Sequence, residues 1–86
     1  MDEHYIQEII NEWNPIEIEP LVDDEYSFEI KLISKFINEQ QNELKIPALK
    51  DKINEIFINE FERFFTKSNE SINIAKKIMD ASVKFK

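Results

Sequence analysis

The 86-residue sequence contains no cysteine and no glycine, one histidine, one tryptophan and one arginine. Without cysteine there are no disulfides, no thiolate metal sites and no Cys nucleophile, so a reducing compartment suits the chain and its stability must rest on packing. Without glycine there is no phosphate-cradling loop and no nucleophile elbow. No apolar run approaches the ~20 residues of a membrane-spanning helix, and the start, Met1-Asp2-Glu3-His4, is acidic where a signal peptide needs to be basic. These absences predict a cytoplasmic protein that does not enter membranes.

Catalytic groups are equally scarce. A carboxylate-bridged iron bundle needs Glu-x-x-His on each of two helices, and one histidine cannot supply both. His4 falls on the polar side of the first helical stretch, where nothing would tune it as a general base. The serines and the threonine have no histidine in a plausible triad order. Asp23, Asp24, Glu25 and Glu29 are acidic enough to hold a hard cation weakly, but they lack the alternating ligands and turn glycine of a calcium loop. The expectation is a non-enzymatic protein with no cofactor and no metal site.

What the chain does have is apolar residues and acid. Ile, Leu, Val and Phe make up 28 of the 86 positions, about a third, well above the level at which chains stay disordered. Formal net charge is −7, and it is unevenly spread: residues 1–43 carry twelve carboxylates against Lys31 and Lys35, while residues 44–86 carry six against nine bases. Such a balance repels nucleic-acid phosphates and anionic membranes and steers basic proteins inward over long range. It also serves solubility alone, as it does in many small acidic domains.

Periodicity predicts an all-α domain over residues 1–86, a compact bundle of about four helices. Tyr5, Ile6, Ile9, Ile10 and Trp13 share one side of a first helix that Pro15 must stop. Residues 14–22, with two prolines and alternating Ile16 and Ile18, read as an extended connector, since no partner strand exists elsewhere. Asp23 or Asp24 caps a second helix running to about Gln40, with Glu25 in its first turn. Tyr26, Ile30, Ile33 and Ile37 form one stripe of that helix, Phe28, Leu32 and Phe36 a second, and Glu29 lies between them. Pro47 opens a third helix whose face holds Leu49, Ile53, Ile56, Phe57 and Phe64, widened by Ile58, Phe61 and Phe65. Glu60 also projects to that apolar side, which predicts a bend or break near Asn59. A fourth helix starts at Ser68 or Asn69, with Ile72, Ile74, Ala75, Ile78, Met79, Val83 and Phe85 in its apolar arc.

The residues that stand out as a site are Trp13, Pro15, Asp23, Asp24, Glu25, Tyr26 and Glu29. Two motifs among them, Trp13-Asn14-Pro15 and Tyr26-Ser27-Phe28-Glu29, resemble the YugE-like family, a domain of unknown function. Its members are small helical proteins of low-GC Gram-positive bacteria with W-D-P near the start and Y-x-x-E opening the next helix. The similarity continues through Ile53-Asn54-Glu55-Ile56-Phe57, Phe61-Glu62 and Ile74-Ala75-Lys76-Lys77-Ile78-Met79. Asn14 stands where the family usually has Asp, and Phe64 lies near a position where a second Trp is common. The resemblance implies a helical fold and no mechanism, because the family has no established activity.

Two arrangements of this constellation follow from its chemistry. In one, Trp13 packs over Pro15 and Tyr26 in a buried corner while Glu29 accepts hydrogen bonds from the indole, the phenol or freed backbone N–H groups. In the other, the same residues form an exposed rim of aromatics and acids that anchors a protein interface. Either suits a protein-binding module, most concretely an immunity-type inhibitor of a basic toxin. The alternative function is a housekeeping or regulatory subunit that self-associates, as a homodimer, through its apolar arcs.

Overall fold

The structure, a computed structural model, describes residues 3–22, 24–40 and 43–84. Four helices carry the fold: α1 (Glu3–Trp13), α2 (Ser27–Gln40), α3 (Ile46–Phe61) and α4 (Ser71–Lys84). Single 3-10 turns at Glu62–Phe64 and Ser68–Glu70 bridge α3 to α4. Each helix packs against its sequence neighbour and α4 closes back on α1, so the four make a ring around one core. The radius of gyration, 12.0 Å, is that of a packed domain of this length, about 12 Å.

The helix ends follow from the sequence with instructive exceptions. Asn14 ends α1 in a left-handed conformation (φ 43°), its N–H donating to the Ile10 carbonyl at 2.9 Å. Asn is among the few non-glycine residues that tolerate this region. Lys45 is extended ahead of α3 and its carbonyl accepts the Leu49 N–H at 3.0 Å, with proline in the first turn as its fixed φ favours. No bend forms at Asn59. The helix runs unbroken to Phe61, and the break comes at Glu62, held at φ 50°. The second helix starts at Ser27, later than an acidic cap would place it: residues 24–26 form a turn, and the Tyr26 carbonyl accepts the Ile30 N–H at 2.9 Å. Glu25 therefore precedes the helix, and Glu29 is the carboxylate of its first turn. The fourth helix is preceded by the 3-10 turn that holds Ser68, Asn69 and Glu70, so it opens at Ser71.

The core is built from Ile6 and Ile10 of α1, Ile30, Ile33 and Ile37 of α2, Leu49, Ile53, Ile56 and Phe57 of α3, and Ile74, Ala75 and Ile78 of α4. Tyr26 and Phe65 join it from the connecting segments. Four expected core members do not: Phe64 is 65% exposed, Phe28 53%, Ile58 48% and Ile72 38%. Phe64 turns outward because the chain leaves α3 at Glu62, which rotates residues 62–64 off the helical face that the spacing had assumed. Glu60 is also exposed rather than set in the apolar side. Side chains of Val83 and Phe85 lie outside the described residues.

Candidate functional site

The constellation at the α1–α2 connection is a buried corner. Pro15, Tyr26 and Glu29 are buried and Trp13 is half-buried, whereas Asp24 and Glu25 are exposed. Asp23 lies outside the described residues. Phe57 of α3 is the hub: its ring meets Trp13 edge-on with centroids 5.6 Å apart and Tyr26 edge-on at 5.9 Å, and stacks on Phe61 and Phe65 at 5.7 and 5.4 Å. Trp13 and Tyr26 thus share Phe57 between them. Aromatic pairs in these geometries contribute about 0.5–1.5 kcal/mol each beyond the area they bury.

The polar groups of the corner find partners different from those anticipated. The Trp13 indole N–H donates to Glu70, not Glu29, at 2.8 Å. The Tyr26 hydroxyl donates to Asn14 Oδ1 at 2.6 Å and accepts the Ile16 N–H at 3.2 Å. Asn14 Oδ1 also accepts the Ile18 N–H at 3.0 Å, and its Nδ2 donates to the Ile18 carbonyl at 3.1 Å. One amide side chain therefore supplies the hydrogen bonds of an irregular connector that, having no strand partner, must satisfy its backbone locally. The connector is further tied to the segment between α3 and α4 by an ion pair between Glu17 and Lys67 at 3.4 Å. Burial pushes the Tyr26 phenol above its ordinary 10.0; the Ile16 N–H opposes this, and the negative charges of Glu29 and Glu25 add to it.

Glu29 is left with little. It is 4% exposed, and neither the Trp13 indole nor the Tyr26 hydroxyl donates to it. Burial raises its carboxyl pKa above the ordinary 4.5, its own backbone N–H opposes, and the charge of Glu60 raises it further. Position explains the N–H contact: Glu29 sits in the first turn of α2, where backbone donors have no helical partner.

Sequence reasoning did not assign Asn14, Glu70 or Glu60 to the site. Asn between an apolar helix and a proline is a recognisable turn signal, so Asn14 was in reach. Glu70 is 57 residues from the indole it accepts, and nothing local announces that pairing.

Acidity in this protein is a property of its surface. Of the ten described carboxylates in residues 1–43, nine are exposed and Glu29 alone is buried. Around the first turn of α2 they adjoin exposed apolar groups, Val22 at 49% and Phe28 at 53%. A shallow groove of about 460 Å³ between α1 and α4 has Tyr5, Ile9 and Ala81 on its walls and Glu8, Glu12, Lys77 and Asp80 around them. His4 lies on the exposed face of α1 with Nε2 3.1 Å from a Glu8 oxygen. Among the described residues no group of three His, Cys, Asp or Glu side chains could hold a metal ion, and no helix is long and apolar enough to cross a membrane. No family model, curated protein or solved structure matches the chain.

Proposed function

We propose that the protein is a non-enzymatic binding module for a basic protein surface, most concretely an immunity-type inhibitor of a basic toxin. The observation that carries this reading is the exposed acid of the first half: nine carboxylates at the surface of residues 1–43, against Lys31 and Lys35. A field of one sign raises the encounter rate with an oppositely charged partner and rejects partners of like charge. Asp24 and Glu25, exposed beside Phe28, place an apolar anchor next to that field, the mixture from which interface hot spots are built.

The test is kinetic. A protein captured on the immobilised chain at low salt should be basic, and its association rate should fall steeply as ionic strength rises, with dissociation little changed. Charge reversal at Asp24 and Glu25 should slow association more than reversal at Glu62 and Asp80. An acidic partner, or an association rate indifferent to salt, contradicts the proposal.

Self-association is the second reading, favoured by the exposure of Phe64, Ile58 and Ile72. It requires a size that grows with concentration and rises further, not less, as salt screens the shared negative charge.

A further inference from the structure

In the ring of helices α1 lies between α2 and α4, and it carries the acid of the first half onto both of its flanks. Toward α2, Glu3 and Asp24 border a hollow of about 230 Å³. Toward α4 lies the larger groove, about 460 Å³, walled by Tyr5, Glu8, Ile9 and Glu12 of α1 and by Lys77, Asp80 and Ala81 of α4. The Trp13 indole, at the end of α1, reaches Glu70 just ahead of α4, so the two helices run antiparallel and their lining residues meet in opposed order. Tyr5, Ile9 and Ala81 are half-buried, whereas the four charged residues are exposed. The groove therefore has an apolar floor between two charged rims, and the rims differ. On α4, Lys77 and Asp80 offset each other. On α1, Glu8 and Glu12 stand one turn apart on the same face, so their charges add. His4, 3.1 Å from Glu8, is formally neutral at pH 7.

We propose that the groove between α1 and α4 receives a basic amphipathic helix of a protein partner, its apolar residues on Tyr5, Ile9 and Ala81 and its Lys or Arg side chains against Glu8 and Glu12. The volume falls in the range that receives ligands, about 300–1,000 Å³, but so shallow a trough would leave a small molecule largely in water. A helix suits it for two reasons. Both walls are helices whose backbone groups are mostly spent on their own ladders, so an extended peptide would find few backbone partners there, whereas a helix satisfies its own. The stretch from Tyr5 to Glu12 spans about 10 Å, two turns, which is the length over which apolar residues at i, i+3 and i+4 project from one side of a docked helix. The one-sided acid of α1 sets the sign of the charges that flank those anchors. The inference rests on the reading of the protein as a binder of basic surfaces and names the element by which it would bind.

The probe is a blocked leucine-lysine peptide of about four helical turns, patterned to be amphipathic and titrated into the full chain at physiological salt, with the amide resonances of the protein followed. Two controls accompany it: a shuffled sequence of the same composition, which has the charge but no apolar face, and a leucine-glutamate peptide of the same pattern. Shifts should centre on residues 5–12 and 77–81, and neither control should produce them. Glu8→Gln with Glu12→Gln should weaken binding roughly fivefold, the effect of losing two surface ion pairs. Asp24→Asn with Glu25→Gln, an equal change in net charge outside the groove, should weaken it less than about twofold. No binding, shifts centred on the exposed ring of Phe28 or of Phe64, equal weakening by the two double variants, or equal binding of either control would each overturn the proposal. So would groove resonances that move with protein concentration alone, since a second copy would then be the occupant. The probe stands in for the partner, so a groove that ignores it removes the docking site, whereas a cell that yields only acidic partners removes the reading on which the site rests.

Discussion

Trp13 and Glu70 join the end of the first helix to the turn that opens the fourth. The indole N–H donates across 2.8 Å, and the ring above it meets Phe57 and Phe65 edge-on at 5.6 and 5.9 Å. A single side chain therefore ties α1 to α3 and to both ends of the segment between α3 and α4. Trp13→Phe, which keeps an aromatic body and removes the donor, and Glu70→Ala, which removes the acceptor, should each cost about 1–2 kcal/mol. In a double-mutant cycle by urea unfolding they should prove coupled, the pair costing less than the sum. Strict additivity would mean that the hydrogen bond contributes nothing to stability.

Asn14 should be the most sensitive polar position of the connector. Asn14→Ala removes three side-chain hydrogen bonds and places a less tolerant residue at positive φ, for a loss of roughly 2–4 kcal/mol. Asn14→Asp keeps the oxygen that serves Tyr26 and Ile18, so it should retain most of the stability. The comparison of unfolding midpoints checks the order, and Tyr26→Phe should fall between the two.

Phe57→Ala should remove about half of the stability and lower the melting temperature strongly, since cavities of this size cost about 3–5 kcal/mol and a domain this small has only about 5–10 kcal/mol in all. Phe57→Leu, which refills part of the space, should remain folded with a lowered melting temperature. Circular dichroism at 222 nm against temperature reads both.

Glu29 makes stability depend on pH in the direction opposite to an ion-paired acid. Burial, with the Glu60 charge added, holds its folded pKa above the ordinary 4.5. The folded chain therefore binds the extra proton, and this contribution is fully present below about 4.5 and lost as pH rises through the raised folded value. Glu29→Gln should be more stable than the parent near pH 7, and the advantage should shrink as pH falls toward the ordinary carboxylate range. A parent and variant that differ by the same amount at every pH would contradict the assignment.

All four helices were legible because their apolar spacing, Pro15 and Pro47 act within one or two turns, but the second was found with its start displaced by the turn at residues 24–26. The fourth was found with its start displaced, since a 3-10 turn and an α-helix begin with the same polar residues. Tyr26 was assigned to the right surface for the wrong reason: its position on a helical stripe matched, but it belongs to the turn before the helix and is buried by Phe57 and Phe61. Phe64 was misplaced because helical phase was carried past Glu62, where the backbone changes hand. The burial of the corner, and the choice of Glu70 over Glu29 as the indole's acceptor, depend on how α3 and α4 close on α1, which no local pattern encodes.

The left-handed residues Asn14, Glu17 and Glu62 have a consequence for how this sequence can change. Bulky residues in that region cost about 1 kcal/mol or more each, and the chain has placed no glycine at any of them. Glu17→Gly and Glu62→Gly are single steps open to selection, each relieving strain against a smaller entropic loss. A lineage that took them would gain mutational latitude, able to alter its acidic face while the four-helix ring stayed folded.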